Sequence, residues 1–126
     1  RETGWKDELK SFDVFYLSSM MDAQVSTLSA DRAARTGNVP VINGSAYHPF
    51  GLEVVDGPVN GSAAAYFDGD FPPLPTGNTN GPGWHHSLAH NLVFEVQEAQ
   101  LMAYGYLLTG VLEDLCNPSC IFEGDW

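Results

Sequence analysis

Beyond Arg35 the chain contains no lysine and no arginine. The 5 basic residues (Arg1, Lys6, Lys10, Arg32 and Arg35) face 16 acidic ones, for a formal net charge of −11 at pH 7. Such a surface repels phosphate backbones and excludes nucleic-acid binding. It also disfavours anionic membrane surfaces. Long hydrophobic runs are lacking as well. The longest uncharged apolar stretch, Leu101 to Leu112, falls short of the roughly 18 residues that cross a bilayer. No transmembrane segment is therefore expected in this chain, and any membrane anchor is left to a longer parent. Cysteine is scarce, with only Cys116 and Cys120.

Catalytic signatures are missing too. There is no G-x-S-x-G elbow, and Ser45 and Ser62 stand in Asn-Gly-Ser triplets instead. No Gly-rich phosphate loop occurs, and a stretch without lysine holds little that could grip phosphate. A carboxylate pair brought together by the fold would be invisible in sequence. With that exception the reading is non-enzymatic.

What is present describes one globular domain. An apolar content of 44% with 12% aromatics belongs to a folded chain, and 126 residues suffice for a core. Three segments follow one another. From Trp5 to about Arg35, Trp5, Leu9, Phe12, Tyr16, Met20 and Ala23 recur at spacings of three and four, which predicts a helix over 5–35, stopped by Gly37. Residues 38–70 hold short apolar runs (Val39 to Ile42, Leu52 to Val55, Ala63 to Phe67) separated by Asn-Gly and Asp-Gly pairs. Those pairs favour hairpin turns and predict a small antiparallel meander. A Pro/Gly-rich loop follows over 71–83. From Ser87 to Leu115 the helical period returns, predicting a second long helix over 86–115 with a kink near Gly105. Within it, Leu101 to Leu112 reads as a helix buried on all sides, or as a segment that meets a partner or membrane. The expected fold is thus α+β, two long helices packed on a small antiparallel sheet.

Several features point outside the cell. Glu2-Thr3-Gly4 resembles the junction left by a mammalian secretion vector, which makes residues 1–4 foreign to the fold and leaves 5–126 as a single domain or a fragment of a larger surface protein. Asn43-Gly44-Ser45 and Asn60-Gly61-Ser62 are N-glycosylation sequons in turn-rich segments, making Asn43 and Asn60 candidate acceptors. Cys116 and Cys120 enclose Asn-Pro-Ser, a turn that brings two sulfurs together, so one short disulfide is expected in an oxidising compartment.

Two groups could bind metal. His86 and His90 stand one turn apart on a helix, a spacing that suits zinc if Glu95, Glu98 or a loop carboxylate supplied a third ligand. Ser87 occupies the place where an HExxH motif carries glutamate, and histidines at an ordinary helix start are the plainer reading. Asp68-Gly69-Asp70 with Asp56 offers clustered carboxylates for calcium, without the loop that would complete six to eight oxygens. No cofactor is expected.

The acidity itself serves solubility. Its sharper readings are a basic partner, divalent cations or concentrated salt. The reading that fits most features is a non-enzymatic extracellular or surface glycoprotein domain that binds another protein. The first alternative is a metal-dependent site on His86 and His90. The second follows from composition: two lysines, nine aspartates and many small residues resemble salt-adapted proteins, such as surface or viral spike proteins from halophilic archaea, where the chain would serve attachment or fusion.

Overall fold

The structure, a computed structural model, describes residues 13–22, 27–71 and 84–123, the side chains of 84–87 excepted. Nine elements follow in order among these residues: β1 (Phe15–Ser19), α1 (Thr27–Gly37), β2 (Val41–Ile42), β3 (Val54–Val55), β4 (Val59–Asn60), β5 (Ala63–Phe67), α2 (Trp84–Glu95), α3 (Gln97–Thr109) and β6 (Val111–Leu112). The fold is mixed α+β, as expected, but its main sheet is parallel. The strand order is β1-β5-β2-β3 with every neighbouring pair parallel, and β4 and β6 form a separate antiparallel pair. The antiparallel meander is thereby corrected.

The predicted helix over 5–35 is also corrected, since β1 occupies its middle. Phe15 and Leu17 pack into one core cluster while Tyr16 and Met20 pack into another. A strand covered on both faces is apolar at odd and even positions alike, so it loses the polar alternation that betrays half-buried strands. The helical spacing of Tyr16 and Met20 is a by-product. Residues 5–12 and 23–26 of the prediction lie outside the described residues, and among the described residues of that span only α1 is helical. Its last turn closes where Asn38 takes a left-handed conformation, φ 50°, and Val39 N–H reaches Ala34 O at 2.9 Å. The connection β1–α1–β2 leaves one strand position open between β1 and β2, and β5 fills it. Parallel neighbours need such long crossovers, which hairpin turns cannot provide.

Strand β5 is the axis of the core. All five of its residues, Ala-Ala-Ala-Tyr-Phe, are buried. Ala63, Ala65 and Phe67 join Leu92, Met102 and Leu112 on one face, and Ala64 and Tyr66 join Ala34, Val39 and Val41 on the other. Helices therefore cover both faces: α1 packs on β1 from one side, α2 from the other, with α3 against α2 and β6. The alanines give these layers room to approach.

The second long helix is replaced by two shorter ones. Val96 adopts φ −76°, ψ 124°, an extended geometry that breaks the chain between α2 and α3, whereas Gly105 lies within the span of α3. Buried positions run Ala89, Leu92, Val96, Ala99, Met102, Tyr106, so the break lets one core-facing stripe continue through both helices. Gly110, φ 71°, ends α3 in the left-handed region with its N–H on Tyr106 O at 2.7 Å. The chain then turns into β6, where continued helix was expected.

The Asn-Gly and Asp-Gly pairs make no hairpins among the described residues. Neither Asn43-Gly44 nor Asp56-Gly57 has a positive φ. Their glycines serve close approach instead. A Cβ at Gly44 would collide with the Asp114 carboxylate, and one at Gly57 would lie 2.8 Å from Asp114 Cβ. Asp114 Oδ2 accepts Gly44 N–H at 2.8 Å and Oδ1 accepts Cys116 N–H at 3.2 Å, pinning the C-terminal segment against the sheet. Cys116 and Cys120 are joined by the expected disulfide, Cα–Cα 4.8 Å. Cys120 N–H then reaches Gly44 O, and Asp68 N–H reaches Cys120 O. The Pro/Gly-rich loop over 71–83 lies outside the described residues except for Phe71, as do residues 1–4. No helix among the described residues is long and apolar enough to cross a membrane.

Candidate functional site

Two apolar surfaces remain open, and they adjoin. The first is the free edge of the main sheet. Among the described residues strand β1 pairs with β5 alone. Ala63 N–H reaches Val14 O, and Met20 N–H reaches Phe67 O, so the even-numbered residues of this strand bond inward. In a parallel ladder the intervening residues point the other way. The backbone groups of Phe15, Leu17 and Ser19 therefore face outward, and of these Ser19 O accepts the Thr27 hydroxyl at 3.2 Å. Beside this edge lies a slot of about 390 Å³ with β1 as its floor, Ser29, Ala30 and Ala33 of α1 on one wall, and Val93 and Phe94 of α2 on the other. A second groove of about 570 Å³ shares Leu17, Val93 and Phe94 with it and continues to Tyr104 and Leu107 on α3.

The second surface is the outer side of α3. Leu107 is 75% exposed, Leu108 67% and Tyr104 64%, with Phe94 of α2 at 70% beside the groove. The reading of Leu101 to Leu112 as a helix buried on all sides is corrected. Only Met102, Tyr106 and Leu112 of that stretch reach the core. Sequence reasoning missed β1 and Phe94 altogether. The available signals were the consecutive apolar Phe15-Tyr16-Leu17 and the excess of leucine over what one buried stripe can hold.

The predicted site residues are scattered. His90 Nδ1 lies 2.9 Å from Asp22 Oδ2, tying α2 to the segment after β1 at the rim of the slot. The His86 side chain lies outside the described residues. Among the described residues no group of three or more histidine, cysteine or carboxylate side chains is placed to hold a metal ion. Asp68 Oδ1 accepts Asp70 N–H at 2.9 Å, and Asp56 Oδ1 accepts the Asn43 amide at 3.0 Å, so the carboxylates considered for calcium serve separate turns. Asn43 and Asn60 are both exposed, while Ser45 is buried and its Oγ accepts Tyr66 N–H.

A buried polar cluster under α1 is the remaining chemical feature. The Tyr47 hydroxyl donates to Asp31 Oδ2 at 3.2 Å. Tyr66, fully buried, has no hydroxyl partner at hydrogen-bonding geometry, and neither does Asp31 Oδ1. Burial drives the Tyr66 phenol far above its ordinary range, and the nearby Asp31 charge adds to the rise. Tyr47 is raised by the same two causes, with Arg35 opposing. A catalytic acid or base is tuned toward neutral pH. These phenols are pushed away from it, so the cluster reads as architecture.

No protein-family model, curated protein or solved structure matches the chain. Function must therefore be argued from the surface itself.

Proposed function

We propose that this chain is a non-enzymatic extracellular or surface domain that binds another protein through the open side formed by β1, α2 and α3. One observation carries the reading: large apolar side chains at Phe94, Tyr104, Leu107 and Leu108 stand mostly in solvent, and the first three line two apolar grooves. Scattered exposed leucines are ordinary, but a contiguous apolar patch bordered by polar groups marks an interaction site. Aromatic residues near its centre suit the anchoring role they play at interfaces. Gln100 lines the second groove, and exposed Glu95 follows Phe94 directly, supplying polar groups beside the patch. The short disulfide and the exposed Asn43 and Asn60 fit an oxidising, extracellular setting.

The test compares the immobilised chain with a Leu107→Ser/Leu108→Ser variant. Both are challenged with surface-protein extract of the source cells. A protein retained at least tenfold better by the wild type, with circular dichroism unchanged in the variant, is the expected result. Equal retention, or none by either, counts against the reading.

A further inference from the structure

The slot beside β1 specifies how a partner would bind. The geometry points to strand addition: an extended, apolar segment of another protein, flanked by basic residues, pairs with the outer edge of β1. This inference rests on the protein-binding reading above and adds its mode and the chemistry of the partner.

The edge is unusually bare. Natural edge strands are guarded by charge, proline, bulges, short length or a covering element. The other edge of this sheet, β3, is two residues long. Strand β1 is five residues long, Phe-Tyr-Leu-Ser-Ser, with neither charge nor proline. Among the described residues no strand covers it, and no hydrogen bond reaches the outward N–H and C=O of Phe15 and Leu17. A partner strand would meet those groups, and main-chain bonds supply the affinity in this mode of recognition.

The slot dictates the side chains. Its walls come from helices on opposite faces of the sheet, α1 and α2. A strand laid between them is covered on both faces, as β5 is. Its residues should therefore be apolar without alternation, as in internal parallel strands. Ser29, Ala30 and Ala33 are small, which leaves room on the α1 side for β-branched side chains.

Charge selects the partner. Exposed Asp13 precedes β1, and Glu95 ends α2 next to Phe94. The described cations, Arg32 and Arg35, lie on α1 outside the residues that line the slot. A second copy of this chain would bring another −11 to the same edge, and like charge opposes that pairing. A segment with lysine or arginine at its ends meets the opposite sign.

The probe is a synthetic peptide, Val-Ile-Val-Ala-Val with two lysines at each end, added to the isotopically labelled full chain. Amide hydrogen exchange read by NMR should slow at least tenfold at Phe15 and Leu17 on saturation. The same peptide with N-methylated alternate residues should give no protection, because it cannot complete the ladder. Glutamate in place of its lysines should weaken binding at least tenfold at low salt. Ala33→Trp, which fills the slot from a half-buried position on its α1 wall, should weaken it similarly without changing the melting temperature. Four outcomes overturn the proposal: no binding at millimolar peptide, unprotected edge amides, equal binding of the N-methylated peptide, or protection that grows with protein concentration alone, which would mean pairing of two copies. If the edge stays unprotected while Leu107→Ser/Leu108→Ser still abolishes partner retention, protein binding stands and strand addition falls.

Discussion

Strand β5 and the Leu101–Thr109 stretch of helix α3 both lack charge, yet the fold treats them in opposite ways. Ala63–Phe67 is buried at every residue, whereas Leu101, Tyr104, Leu107 and Leu108 stand mostly exposed. The difference is position. Strand β5 has a neighbour on each side and a helical layer on each face, while α3 meets the rest of the described fold along one stripe, against α2, β6 and Phe15 of β1. Apolarity shows that a segment gains by being covered. Topology decides whether its own chain supplies the cover, and for α3 it does not.

The strongest way to break this comparison is in β5. Phe67 is fully buried, packs into the larger cluster and stacks on Phe122 with ring centroids 6.2 Å apart. Phe67→Ala should cost ~3–5 kcal/mol, since lost transfer energy and the cavity add. Urea unfolding measures it, and a loss below ~1 kcal/mol would show that β5 is not the axis of the core.

Alkaline titration probes the opposite face of the same strand. Burial, then the Asp31 charge, raises the Tyr66 phenol well above its ordinary value of 10.0. The folded chain thus holds this proton more tightly than the unfolded one. The stability so contributed is complete below the unfolded pKa of about 10 and is lost as pH rises toward the raised folded value. Melting temperatures between pH 8 and 11.5 should fall more steeply for wild type than for Tyr66→Phe. Other groups that titrate there are common to both proteins, so parallel curves would remove Tyr66 from the account.

The disulfide gives a smaller effect. Cys116 and Cys120 are four positions apart, and closing so short a loop removes little entropy from the unfolded chain. Replacing both with serine should cost about 2 kcal/mol on the chain-entropy model. A much larger loss would mean that the bridge also holds the contacts of Cys120 with Gly44 and Asp68.

Much of this fold was legible as elements and little of it as pairing. The runs Val39 to Ile42, Leu52 to Val55 and Ala63 to Phe67 each contain a strand, and the helical period after Trp84 marks real helix. Pairing was not legible because Asn-Gly and Asp-Gly carry the local signal of hairpin turns yet form none among the described residues. Gly44 and Gly57 are instead small so that Asp114 can approach, a long-range contact that no local pattern records. Strand β1 was hidden by burial on both faces. The break at Val96 was invisible because the apolar stripe runs straight through it. For the candidate site, the excess of apolar residues in Leu101 to Leu112 was visible, but which of them face solvent depends on where α2 and β6 lie.

The smallest expected effect is the one that most sharpens the comparison. If α3's outer side is a surface awaiting a partner, Leu107 and Leu108 contribute almost nothing to the isolated fold. Each side chain is at least two-thirds exposed, so little apolar area returns to water when it is shortened. Serine is a somewhat poorer helix former than leucine, which adds a few tenths of a kcal/mol. Exposed substitutions away from caps and cores stay within about 0.5 kcal/mol. Leu107→Ser and Leu108→Ser should therefore each unfold in urea within about that margin of wild type, while Phe67→Ala loses several times more. Should either serine cost ~2 kcal/mol or more, that leucine would be core rather than interface, and the docking surface would lose its anchor.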